Sequence, residues 1–90
     1  MDKIIKQAFN LLQEGKFLEA ELQYRKILKT EPNLAIAHLN LGVVLKNIGN
    51  LDEAIISFKK ATELKPDYII AHYNLGITLK EIKKFGEAAE

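Results

Sequence analysis

Between Ala35 and Ile48 apolar side chains recur at helical spacing with few helix breakers, and the same period resumes from Asp52 to Lys65. Gly49-Asn50 separates the two runs. The pattern predicts two helices joined by a tight turn, because these residues accept a backbone reversal that a helix interior forbids. Asn50 with Glu53 three residues on has the spacing of a capping box, in which side chains satisfy free backbone N–H groups at a helix start. Lys65-Pro66 closes the second run, since proline disfavours helix at the residue before it. No stretch alternates in the manner of a strand, and no low-complexity segment or long linker divides the chain.

The hairpin is written more than once. At an offset of 34 residues, 35–56 and 69–90 agree at eleven of 22 positions, and AHLNLG (Ala37 to Gly42) returns as AHYNLG (Ala71 to Gly76). Residues 1–34 match 35–68 at six places: Leu11/Leu45, Gly15/Gly49, Glu19/Glu53, Ala20/Ala54, Lys26/Lys60 and Pro32/Pro66. Self-similarity at a fixed period marks a repeat architecture, in which terminal units diverge most. Ninety residues hold one domain with a small core, so the expected organisation is a single domain over 1–90. Its units are residues 1–34, 35–68 and a partial third, 69–90.

The run from His38 through Leu41, Gly42 and Leu45 to Ala54, Phe58, Ala61 and Pro66 resembles a tetratricopeptide repeat. The first unit offers Ile4, Ala8, Leu11, Ala20, Tyr24 and Pro32 at the matching places, and the third His72, Leu75, Gly76, Leu79 and Ala88. The resemblance implies an all-α, right-handed solenoid of stacked antiparallel helix hairpins with one concave face. Gly42, Gly76 and Ala8 would let the two helices of a hairpin approach, with Ala20, Ala54 and Ala88 opposite them and with Tyr24 and Phe58 plugging the space between hairpins. Departures from the family pattern stand out, among them Leu45 and Leu79 where Tyr is common. His38 and His72 occupy a place usually bulky and often Trp, and Lys83-Lys84 replaces the glycine-led turn, leaving Gly86 near the start of the last helix.

Charge and composition narrow the chemistry. Thirteen Lys plus Arg against twelve Asp plus Glu leave a net charge of +1 without blocks of one sign, which argues against a nucleic acid or an anionic membrane as partner. The Lys59-Lys60 and Lys83-Lys84 pairs read as solvated helix and turn residues. Cysteine is absent, and no segment approaches the roughly 20 apolar residues of a membrane span. A soluble, cytoplasmic chain without a cleaved leader is expected. There is no phosphate loop, no H-E-x-x-H and no nucleophile elbow, and Ser57 has no sequence cue to a base. Neither an enzyme nor a bound cofactor or metal is expected.

The two histidines fall in equivalent places with no Cys, Asp or Glu at ligand spacing, so packing is their expected role. The repeated asparagines are different. If the Gly and Leu faces point inward, Asn40 and Asn74 project toward the concave groove, one per repeat, where an amide can bond both the C=O and the N–H of a peptide. In this the chain is similar to superhelical members of the family whose asparagine ladder holds peptide main chain; the first repeat has Lys6 in the matching place. Around the amides the expected groove is lined by Ile5, Phe9, Ile36, Leu39, Val43, Ile70, Tyr73 and Ile77, with Lys46 and Lys80 further along. Other family members clamp acidic C-termini with Lys, Asn, Asn, Lys and Arg. Here those places read Ile5, Phe9, Asn40, Ile70 and Asn74, and only Asn40 fits.

The expected function is therefore a non-enzymatic interaction module that takes a peptide or helical segment of a protein partner in its concave groove. The alternative is a homo-oligomerisation scaffold, with the exposed face of the third repeat or the groove covered by another copy, a homodimer through the third repeat being the simplest form.

Overall fold

Five helices form: α1 (Asp2–Gln13), α2 (Phe17–Thr30), α3 (Ala35–Asn47), α4 (Leu51–Leu64) and α5 (Ile69–Ala89), with α3 and α4 where the apolar period predicts them. The structure, a computed structural model, describes residues 2–89, with side-chain surroundings through Gly86. Every regular element among the described residues is helical.

The turns inside the first two hairpins are set by glycine. Gly15 and Gly49 have φ of +77° and +86°, the left-handed region that residues with a Cβ enter only at a cost. Each sits in a Schellman arrangement: the Gly49 amide donates to Lys46 O at 3.1 Å and the Asn50 amide to Leu45 O at 2.9 Å. The first hairpin repeats this with Gly15 to Leu12 O at 3.0 Å and Lys16 to Leu11 O at 2.9 Å. At the third equivalent place stands Lys83, and no turn forms. Instead α5 continues as one 21-residue helix past Gly86, where the sequence pattern put the start of a further helix. The expected place of Ala88 opposite Gly76 lies outside the residues with described side chains.

The capping box is also different from expectation. Asn50 does face Glu53, but its Nδ2 donates to the Glu53 carboxylate at 2.7 Å and no side chain caps the backbone at that helix start. Glu53 Oε2 also accepts from Arg25 Nη2 at 3.3 Å, so the pair links α4 to α2.

Neighbouring helices pack in chain order, and α3 additionally touches α1 and α5. The first helices of the three units thus lie side by side, with α2 and α4 on the other layer. Small residues hold the layers together: Ala8, Ala20, Ala54, Ala61 and Ala71 are fully buried. Tyr24 and Phe58 are the largest enclosed side chains. The Phe58 ring lies over Gly42 of its own hairpin. At Gly76, by contrast, an added Cβ would meet nothing within 4 Å.

Candidate functional site

Side by side, α1 and α3 leave a cavity of about 290 Å³ lined by Ile5, Lys6, Phe9, Asn10, Ile36 and Asn40. Four of these are pairs one helical turn apart, Ile5 with Phe9 on α1 and Ile36 with Asn40 on α3, so each helix presents two adjoining side chains to the same space. Phe9 and Ile36 are about two-fifths exposed, an apolar surface that water wets poorly. Two amides and one ammonium border it. The site can therefore enclose an apolar side chain while bonding the polar backbone that carries it.

Asn40 is itself only 7% exposed. Its amide lies toward the Tyr24 hydroxyl, yet that hydroxyl is buried without a partner at hydrogen-bonding geometry. Burial raises the Tyr24 pKa above the ordinary phenol value of 10.0, and the nearby amide offsets this only in part. Asn40 makes no side-chain hydrogen bond among the described residues, but its amide is not fully enclosed and opens on the cavity. Asn74 is differently placed. Its Nδ2 donates to Ile70 O one turn back at 2.9 Å, and the Thr78 hydroxyl donates to Asn74 O at 2.7 Å. The residue equivalent to Tyr24 in the second hairpin is Phe58, which has no hydroxyl. The two amides of the repeated motif thus occupy unlike surroundings.

The other expected groove residues are placed in different surroundings. Leu39 corrects the sequence reading: at 5% exposure it belongs to the core, and Val43 packs against that core. Its repeat equivalent Tyr73 is 67% exposed, because α5 flanks α3 and no described helix packs beyond α5. Lys46 is drawn to Glu81 on α5, with Nζ 3.8 Å from the carboxylate. Tyr73, Ile77 and Lys80 share a second cavity of about 360 Å³ with His72 and Gly76. Ile70 is half exposed. The sequence reading missed Asn10 in the first cavity; the signal was present, since Asn10 follows Lys6 by one helical turn.

The histidines have a use that packing did not suggest. His38 Nε2 lies 2.8 Å from Pro32 O, and His72 Nε2 lies 2.8 Å from Pro66 O. In each case the ring N–H donates to a carbonyl in the joint between hairpins, six residues back. Among the described residues no group of three or more His, Cys, Asp or Glu is placed to hold a metal ion.

Comparison with known proteins agrees with this architecture. A family described as "TPR repeat" matches residues 44–82, and one described as "Tetratricopeptide repeat" matches residues 23–56. No curated protein matches the chain in sequence. Among solved structures it is similar to a point mutant of MamA, at 28% identity and a TM-score of 0.85 over 97% of this chain and 64% of that one. It is also similar to MamA from Desulfovibrio magneticus RS-1, from residue 41 to the end, at 25% identity and a TM-score of 0.84 over 97% of this chain and 49% of that one. MamA AMB-1 gives 28% identity and a TM-score of 0.83 over 94% and 46%. The chain thus spans between about half and two-thirds of the solved chains it matches. No described helix is long and apolar enough to cross a membrane.

Proposed function

The chain belongs to the tetratricopeptide repeat family of protein-interaction modules, and we propose that it holds a peptide segment of a partner in the groove along α1, α3 and α5. The observation that carries this reading is the cavity between α1 and α3, with Ile5, Phe9 and Ile36 as walls and Asn10 and Asn40 as its amides. An apolar side chain of the ligand fills the cavity. Asn40, whose amide makes no side-chain hydrogen bond among the described residues, bonds the ligand main chain, and Asn10 faces it from α1. Lys6 and Lys80 favour a carboxylate nearby, whereas Lys46 is held by Glu81. Asn74 joins only if it leaves the Ile70 carbonyl.

The test is calorimetric titration with a peptide selected by display against the wild-type chain. Asn40→Ala combined with Asn74→Ala should weaken binding by about 1 to 3 kcal/mol, most of it from Asn40. Unchanged affinity rejects the main-chain role of the amides.

A second reading is self-association through the third repeat. Gly76 corresponds to Gly42, which is covered by Phe58, yet among the described residues an added Cβ there would meet nothing within 4 Å, and Tyr73 on the same helix is 67% exposed. An aromatic side chain from a second copy fits that seat. Light scattering should then show a dimer that Tyr73→Lys dissociates; a monomer at tens of micromolar discards this reading.

A further inference from the structure

The concave groove is not the largest cavity of the molecule. On the opposite layer, α2 and α4 diverge over α3 and leave a groove of about 490 Å³. Its floor is Leu28, Leu41 and Ile56, with Ile56 66% exposed, and Ser57 supplies a hydroxyl from a nearly buried position. Arg25, Lys29 and Lys60 border it, and no acidic residue lines it. The cations are not alike. Arg25 is neutralised at one end by Glu21 at 2.9 Å and Glu53 at 3.3 Å, while Lys29 and Lys60 make no ion pair among the described residues. One end of the groove is therefore compensated and the other keeps two free positive charges beside an open apolar floor.

We propose that the groove between α2 and α4 is a second docking surface, for an acidic peptide segment that seats one apolar side chain on Leu28, Leu41 and Ile56. Its carboxylates face Lys29 and Lys60. The sign of the uncompensated charge selects an anion, and the floor selects the class. A nucleic acid backbone would gain from the lysines but nothing from three aliphatic side chains, whereas an acidic peptide uses both. The surface is separate from the cavity between α1 and α3, so the chain is able to hold two partner segments at once.

The probe is a fluorescein-labelled peptide with one leucine flanked on each side by paired glutamates, followed by anisotropy against the full chain. Binding should weaken as salt rises. Lys29→Glu with Lys60→Glu should cost roughly tenfold in affinity, as expected for two exposed attractions turned to repulsions. Replacing the probe's leucine by alanine should weaken binding as well, while Phe9→Ala on the other layer should leave it within about twofold. Circular dichroism of each variant establishes that the helices persist. The proposal is overturned if wild type fails to bind the probe, if Phe9→Ala weakens binding as much as the lysine reversal, or if a single-stranded oligonucleotide competes and the leucine proves irrelevant.

Discussion

The Phe58 ring rests on the backbone of Gly42 so closely that a Cβ there would stand 2.5 Å from Cε1 and 2.6 Å from Cδ1. The ring is fully buried and has no free end to swing aside. Gly42→Ala must therefore push α3 and α4 apart, and should lower stability in urea denaturation by about 1 to 3 kcal/mol. Gly76→Ala, at the same place in the next repeat, meets nothing and gains helix propensity. It should raise stability by up to about 1 kcal/mol. Equal effects at the two glycines would show that the hairpin does not close as described.

Tyr24 carries a buried hydroxyl without a hydrogen-bond partner among the described residues, where the following repeat has Phe58. Tyr24→Phe should leave stability at neutral pH unchanged or higher by about 1 kcal/mol, since a desolvated polar group is removed. Alkaline pH sharpens the contrast. Burial raises the folded pKa above the ordinary 10.0, so the unfolded chain loses its proton first, and the stability present below pH 10 falls as pH rises through the folded value. Tyr68, also raised by burial, contributes in the same direction. The Phe variant should unfold at higher pH than wild type in an alkaline titration followed by circular dichroism.

His38→Ala removes the donor to Pro32 O, and His72→Ala the donor to Pro66 O. Both prolines are exposed, so water replaces part of the bond and each variant should lose only about 0.5 to 1.5 kcal/mol. His38→Gln keeps an N–H and should recover some of it. Thermal melts of the three variants are the measurement; no loss in either alanine variant would show that the bond is incidental.

Lys83 replaces the glycine that turns the chain at Gly15 and Gly49. Lys83→Gly with Lys84→Asn restores the Gly-Asn pair and should interrupt α5 there. Backbone chemical shifts of Phe85 and Gly86 should move away from helical values. If they stay helical, the unbroken α5 has a cause other than the missing glycine.

The period of 34 and the helix limits were legible because they rest on local chemistry: the second hairpin was expected at 35–48 and 52–65, and α3 and α4 occupy Ala35–Asn47 and Leu51–Leu64. What lay beyond reading depends on partners distant in the chain. Leu39 and Tyr73 share a place in the repeat, and only the presence of α5 beside α3 makes one core and the other surface. Asn40 and Asn74 share a letter, but Tyr24 and Phe58 behind the motif do not. Lys46 meets its partner Glu81 only because α5 lies beside α3. The histidines bond a backbone carbonyl, which every residue possesses, so no side-chain pairing could announce them.

That histidine bond recurs at both joints between hairpins with the same length. In mechanical terms, each joint carries its own stop, made from a side chain of the helix that follows and the carbonyl of the bend that precedes it. Each bond thus ties the first helix of a unit to the bend before it, independently of the other. Losing the donor at His38 would loosen the first joint and leave the bond at the second in place.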